Sequence, residues 1–453
     1  MNKTVQRIRE ELDQLGRLSA DEIRAKQDRR FAEIVRFHFN NRLNDSYRRL
    51  LTAHGIADDS ELPSRVEDVG RLPMTTRRFL EESDYASRPA VPVKDIRKIV
   101  ETTGTSGNPL RVPHTRETMR RCYGEFIARG AILGGMDPED HSYAIVHWIP
   151  GGKDDWASYA GTLLFQEIVG PERLMIVSTH TTPAEHWENM QAHQPKWAFS
   201  TPVFFLSFAG YAEKMGIDLR KCSLRHLLLA GASGAPEDLE FLIETYGLES
   251  VHFMYATTES FIPAAQLPDR SGYVCFEDDC VVEVLGTDDR PVEVGDRGRT
   301  VITSLGNQGY PGIRYQQGDA VTYLGRSSAF PGCRIIDEIQ RLDSGEIGDS
   351  RLPFSEIEQM PRLLLRRGIP VRALQVARRR DGLKDVPVFR LETSLQDRDK
   401  IEAAVLDVFT RNAQMKDMLE GGMIHPPSVE LYAIGALSRG RLKVPIYLDE
   451  RNL

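Results

Sequence analysis

The sequence predicts an α/β fold in which a large N-terminal part with parallel sheets and a small antiparallel β-barrel or meander precedes a compact α+β unit. Three observations carry this. Between about residues 96 and 260, short β-like runs alternate with helical ones, the pattern of a largely parallel sheet with helices on its faces. From about Cys280 the β runs are separated by Asp and Gly turns, as in "VVEVLGTDDRPVEVGDRGRTVITSL". After about residue 344 the pattern changes once more. A chain of 453 residues is too long for one compact core, so two or three domains are expected.

The elements follow in order. Val5, Ile8, Leu12 and Leu15, then Phe31, Ile34 and Phe37, stand at helical spacing among charges and predict two or three surface helices over 3–55. "ELPSRVEDVGRLPMTTRRFLEES" is a turn-rich connector with a helix from near Thr75, whose hydroxyl can cap it. "RKIVETT" is a strand, "TRETMRRCYGEFIARGAILG" helical, "SYAIVHWI" and "WAFSTP" strands, and "VFFLSFAGYAEKMG" a helix. "LRHLLLAGASG" is a strand ending in small residues, Pro236 starts the helix "PEDLEFLIETYG", and "SVHFMYATTES" runs from a strand into a polar loop. In the last unit, strands near Ala373–Arg378 and in "VFRLETSL" flank a turn. A helix "DRDKIEAAVLDVFTRNAQMKDML" and a strand "SVELYAIGAL" follow.

Composition excludes several classes. With 66 acidic against 58 basic residues and a formal net charge of −8, the chain is not built to hold nucleic acid through charge. No run approaches ~18 consecutive apolar residues, so no membrane span is expected. The charged start "MNKTVQRIREELDQLGRL" lacks the apolar core of a signal peptide, and five cysteines form no CxxC pair; both point to the reducing cytoplasm. Cys275 and Cys280 flank the acidic run "CFEDDC", which reads either as a metal site or as strand–turn–strand; the spacing matches no common zinc knuckle.

The stretch "ETTGTSGNPL" sets hydroxyls around two glycines directly after a β-like run. Glycines let backbone N–H groups approach closely, and hydroxyls donate to oxyanions, so the loop suits phosphate as well as it suits a plain linker. It lacks the Lys of the common P-loop and the spacing of GxGxxG. It shares one feature with "AGASG" and "YATTES": all three follow apparent strands, where ligands of parallel sheets sit.

"TTGTSGNP" resembles the phosphate loop [ST][ST]GTTGxP of the acyl-adenylate-forming superfamily. The segment ending in "YATTES" resembles its Tyr-Gly-x-[ST]-Glu signature, "IRYQQGD" its Tyr-Arg-Thr-Gly-Asp signature, and "QRLDSGEIGDSRLPFSEIEQM" its hinge followed by Phe-Pro-x-x-Ile-Glu. With "FNNRLNDSYRRLLTAHGI" and "VEDVGRLPMTTRRFLEE" near the start, the chain is similar to the phenylacetate–CoA ligase-like branch over nearly its whole length.

The resemblance implies an N-terminal domain (1–342) for ATP and the acyl substrate and a mobile C-terminal domain (343–453). Thr102, Thr103, Gly104, Thr105, Ser106 and Gly107 would hold the β- and γ-phosphates of ATP. Ala232, Ser233 and Gly234 would face the adenine, Tyr255 would stack on it, and Ala256 and Thr257 would continue that wall. Glu259 would bind Mg2+, with Thr258 near the α-phosphate. Asp319 would accept from the ribose hydroxyls, Arg341 would lie close to the nucleotide, and Asp343 would be the hinge. The implied chemistry is attack of a carboxylate on the α-phosphorus to give acyl-AMP and pyrophosphate, then displacement of AMP by coenzyme A or, as alternatives, by an amine or a carrier-protein thiol; a nucleotide-binding homologue without catalysis is a further alternative. Nothing fixes the oligomeric state, and a homodimer is one expectation.

The chain departs from the pattern in several places. Ala256 replaces a Gly and Gln316 an Arg. The C-terminal catalytic lysine falls in "SRGRLKVPIYLDER", where the direct match is Arg441 and Lys443 stands two residues on. Arginine can carry the charge but differs in reach and geometry. For the acyl pocket, Tyr143, His147 and Trp148 in "SYAIVHWI", together with Phe204 and Tyr255, are the candidates; an aromatic lining would suit an aryl or arylacetic acid. "LLLRRGIP" and "VARRRDG" could meet the phosphates of coenzyme A.

Overall fold

The computed structural model describes residues 2–82, 89–101, 110–149, 164–178, 181–230, 236–342, 344–348, 350–437 and 444–450. Its centre is a sheet of eleven strands. Five are parallel: β3 (Ala144–Ile149), β4 (Leu174–Ser178), β5 (Pro195–Ser200), β6 (His226–Ala230) and β7 (Ser250–Thr257), in the spatial order β4-β3-β5-β6-β7. The remaining six run on from β7 by antiparallel pairing. They are β8 (Phe261–Gln266), β9 (Tyr273–Cys275), β10 (Cys280–Leu285), β11 (Arg297–Ser304), β12 (Tyr315–Arg326) and β13 (Arg334–Arg341), in the order β8-β9-β13-β12-β11-β10. The segment expected as a small barrel or meander is thus a meander continuous with the parallel strands.

The parallel strands are apolar on both faces because helices cover both. Along β5, Trp197 and Phe199 join one core and Ala198 the other; along β6, Leu228 faces one and Leu227 and Leu229 the other. The helices Pro183–His193 and Pro202–Lys214 each start on a proline behind a capping threonine, Thr182 or Thr201. The first of them and β4 were not foreseen from the sequence.

The N-terminal helices are Lys3–Leu15, Ala20–Phe39 and Ser46–Ala53. Val5, Ile8, Leu12 and Leu15 enter the main core, while Phe31, Ile34 and Val35 pack with Val281, Leu305 and Ile313 of the meander. The helix expected near Thr75 spans Arg77–Glu82, and its first turn is capped by Thr76, whose hydroxyl accepts from the Phe79 amide at 3.2 Å. Thr75 is fully buried and donates instead to the Ile313 carbonyl at 2.7 Å, tying the connector to the chain before β12.

The hairpin of β1 (Ile96–Glu101) and β2 (Arg111–Thr115) forms its own two-stranded sheet. Past β13 come the short pair β14 (Ser344–Ile347) and β15 (Ser350–Pro353), the helix Phe354–Leu365, and a four-stranded sheet β18-β17-β16-β19, made of β16 (Ala373–Asp381), β17 (Lys384–Glu392), β18 (Ser428–Tyr432) and β19 (Tyr447–Asp449). The single helix expected over 397–419 is two, Arg398–Phe409 and Ala413–Glu420, the second capped by Asn412. This unit has its own core around Ile357, Val376, Phe389 and Phe409. Among the described residues, no helix is long and apolar enough to cross a membrane.

Candidate functional site

The carboxyl end of β7 and the start of β12 meet beyond the parallel strands. β7 delivers Tyr255, Ala256 and Thr257, and a three-residue loop then carries Thr258 and Glu259 to Ser260 before β8 begins at Phe261, which pairs back onto Thr257. Such loops ordinarily place glycine at the closing left-handed position. Here it is Phe261, with φ of 67° and 2% exposure. A left-handed non-glycine residue costs about 1–2 kcal/mol, so the surrounding contacts must hold the loop.

Those contacts come from the chain before and within β12. The Tyr315 hydroxyl donates to Glu259 Oε1 at 3.2 Å, the Tyr310 hydroxyl donates to the Glu259 carbonyl, and the Gln317 side-chain amide donates to Ser260 Oγ. Within the loop, the Ser260 amide donates to Thr257 Oγ1 at 2.9 Å. Strand alternation explains the set: Tyr315, Gln317 and Asp319 share one buried face of β12, and Gln316 and Gly318 the other. Gln316, which replaces the signature's Arg, therefore belongs to the face away from Glu259.

Asp319 is buried between two partners. The Tyr255 hydroxyl donates to its Oδ2 at 2.6 Å, and Arg341 Nε, on the paired residue of β13, stands 3.3 Å from Oδ1. Burial alone would pull the Arg341 guanidinium down, but the carboxylates of Asp319 and Glu259 outweigh it and raise it above its ordinary value. Burial pushes the Glu259 carboxyl up, against the opposing pull of Arg341 and Arg77. Tyr255 and Tyr315 are pushed far up, first by burial and then by Asp319 and Glu259 respectively, so both remain hydroxyl donors.

The hairpin that brackets the hydroxyl-rich loop packs on this site. Leu110 and Val112 form one cluster with Tyr310 and Tyr315, and the His114 ring lies 5.2 Å from that of Phe261. Gly309 permits the approach, since a Cβ there would stand 2.4 Å from the Pro113 carbonyl. Thr102, Thr103, Gly104, Thr105, Ser106 and Gly107 lie outside the described residues, as do Ala232, Ser233, Gly234, Asp343, Arg441 and Lys443. Ala230, just before the second of these groups, pairs with Met254, the neighbour of Tyr255.

His147 and Trp148 fall on β3, with side chains outside the description. Phe204 is buried in the first turn of the helix after β5, on the same edge of the sheet as Glu259. Tyr143 does not join them. It precedes β3 at the opposite edge, its hydroxyl donating to the Asp137 carbonyl and its ring beside Arg173 and Lys196. Tyr310 and Gln317 were not foreseen; the alternation Tyr315-Gln317-Asp319 in "IRYQQGD" was the available signal for Gln317.

The "CFEDDC" run is the turn between β9 and β10. Its acids are taken by arginines: Glu277 by Arg334, Asp278 by Arg129, Asp279 by Arg30 and Arg121. Burial pushes the Cys275 and Cys280 thiols far up. Among the described residues, no group of three or more His, Cys, Asp or Glu could hold a metal by itself. The basic runs are likewise engaged, Arg367 with Asp407, Arg378 with Asp385, and Arg379 with Glu430 and Glu450.

No family model matches the chain. A phenylacetate-coenzyme A ligase of Thermus thermophilus is 24% identical over 316 residues, 69% of this chain and 68% of that one. One of Escherichia coli is 25% identical over 322 residues, 69% and 70% of the two chains. Among solved structures, a 2-hydroxyisobutyryl-CoA ligase in complex with 2-HIB-AMP and CoA matches with a TM-score of 0.65 at 21% identity, over 96% of this chain and 91% of that one. An acyl acid amido synthetase matches with a TM-score of 0.60 at 13% identity, over 98% and 94%. The chain is thus similar in sequence to phenylacetate-coenzyme A ligases over about two thirds of its length, and similar in fold to acyl-adenylate-forming ligases over nearly all of it.

Proposed function

We propose that this protein activates a small carboxylic acid of aryl or arylacetic type with ATP, giving acyl-AMP and pyrophosphate, and then transfers the acyl group to coenzyme A. The observation that carries the reading is the convergence of Glu259, Asp319 and Arg341 at one edge of the sheet, beneath the hairpin that flanks the hydroxyl-rich loop. Its support from relatives is general for acid activation and ligation to CoA; the aromatic acid is this proposal's finer step.

The residues have distinct work. Asp319, opposite Tyr255, would accept from the ribose hydroxyls, with the flat Tyr255 ring beside the adenine. Arg341 would balance charge at the α-phosphate, and the loop 102–107 would orient the β- and γ-phosphates, so that the acid meets the α-phosphorus in line. Glu259 fits a hard cation: it is a carboxylate whose charge burial disfavours, and a cation would restore it. One carboxylate with phosphate oxygens is an ordinary set for Mg2+, which when bound would neutralise the α-phosphate and leaving pyrophosphate. Arg441 or Lys443 would supply the cation usually given by a lysine, and Asp343 would be the hinge between domains 1–342 and 343–453.

The test is pyrophosphate release with ATP and Mg2+ over a panel of aryl, arylacetic and short aliphatic acids, followed by mass spectrometry of products with and without coenzyme A. Acyl-CoA from an arylacetic or aryl acid is the expected product. Release only with aliphatic acids would remove the aromatic step, acyl-AMP without thioester would redirect the acceptor to an amine or a carrier protein, and ATP binding without release would leave a nucleotide-binding protein.

A further inference from the structure

We infer that Gln317 is a positioning residue that sets the protein's affinity for the divalent cation, by pinning the loop that carries Glu259. This rests on the adenylation reading and deepens it. The signature that "IRYQQGD" resembles has Thr where this chain has Gln317. Gln317 is buried, its side-chain amide donates to Ser260 Oγ, and its carbonyl accepts from Arg341 Nη1 at 3.4 Å. One residue therefore reaches the loop of Glu259 on one side and the arginine of Asp319 on the other.

The loop needs such a tie. Phe261 closes it in the left-handed region at φ of 67°, and Arg314, on the approach to β12, is also left-handed at φ of 46°. Arg314 is secured by Glu283 at 2.8 Å and by the Leu72 carbonyl at 2.6 Å, so β12 is the anchored partner. The loop is held to it by Tyr310, Tyr315 and Gln317. Of these, Gln317 alone grips the residue after Glu259. Without it, the Ser260 hydroxyl loses its tie to β12 and can shift with the strained Phe261, which loosens the Glu259 carboxylate on its remaining bond from Tyr315. Cation affinity falls, while contacts to the nucleoside remain.

The experiment uses the full chain and two variants that remove the bond from either side. Gln317→Met keeps side-chain volume and loses the donor; Ser260→Ala loses the acceptor. ATP binding is measured by calorimetry in EDTA and over a Mg2+ series, with thermal melting alongside. Each variant is expected to need at least fivefold more Mg2+ for half-maximal ATP binding, the double variant no more than either, and ATP affinity in EDTA to stay within twofold of wild type. In a Glu259→Gln background, Gln317→Met should leave the Mg2+ series unchanged. Wild-type Mg2+ dependence in Gln317→Met, or fully additive single effects, would overturn the brace alone. Wild-type protein whose ATP binding ignores Mg2+ would overturn both the brace and the adenylation reading.

Discussion

Glu259 is a carboxyl whose charged form folding disfavours. Burial lifts it above its ordinary 4.5, so between that value and its folded one the native state binds more protons than the unfolded chain. Stability from this group therefore falls as pH rises through that window, and the whole cost is present above the folded value. Glu259→Gln removes it. The melting temperature of the cation-free variant should exceed that of wild type at pH 8, with the gain gone by pH 4, while adenylation drops about a hundredfold. Equal melting curves at pH 8 would contradict the burial cost. Asp319 gives the opposite case, a charge already satisfied by Arg341 and by the Tyr255 hydroxyl. Tyr255→Phe keeps the ring but removes a hydrogen bond to a buried charge, costing about 1.5–3 kcal/mol in denaturant unfolding. ATP affinity should hold or rise, because the ribose no longer competes with the phenol; a large loss would mean that the hydroxyl itself binds nucleotide.

The acidic turn between β9 and β10 shows what the sequence could and could not reveal about elements. Its strand–turn–strand character was visible in six letters, but its partners were not: Arg129 lies 149 residues before Asp278 and reaches Glu11 as well, at 2.8 Å. Arg129 is 1% exposed; burial pushes Asp278 up, but Arg129 together with Arg121 and Arg30 holds it below its ordinary value. Arg129 keeps Glu11 when Asp278 is lost, so Asp278→Ala removes a charged hydrogen bond without stranding the arginine and should cost about 1.5–3 kcal/mol by chemical denaturation. A zinc chelator should change neither the wild-type nor the variant curve. The parallel strands were legible because both faces are apolar and prolines mark the following helices. β4 escaped because "LMIVS" is short and lies after a long stretch of mixed composition. Thr75 was mistaken for a cap because two adjacent threonines offer the same hydroxyl, and only tertiary pairing with Ile313 decides between them. The site was legible as motifs at strand ends; its bracing by Tyr310 and Gln317 depends on how β12 folds against β7, which no local pattern encodes.

At the scale of the molecule, the helix Pro202–Lys214 of the large unit meets the C-terminal unit across a tight seam. A Cβ on Gly210 would stand 2.7 Å from both Leu365 Cδ1 and Pro370 Cβ, and the Arg372 guanidinium lies 5.4 Å from the centre of the Phe204 ring. Burial pulls Arg372 down to about 10. If the two half-reactions use different seatings of the small unit, a wedge at Gly210 should separate them. The Leu365 tip can rotate away, but the Pro370 ring cannot, so Gly210→Val penalises this seating by about 1–3 kcal/mol as overpacking does. That corresponds to a slowing of about 5- to 150-fold in whichever half-reaction uses it, with the other nearly untouched and ATP affinity kept. Single-turnover formation of acyl-AMP and, separately, transfer from acyl-AMP to coenzyme A measure the two. Equal slowing of both, or of neither, would mean that the small unit does not alternate across this seam, and that Asp343 is a linker residue without a swing to serve.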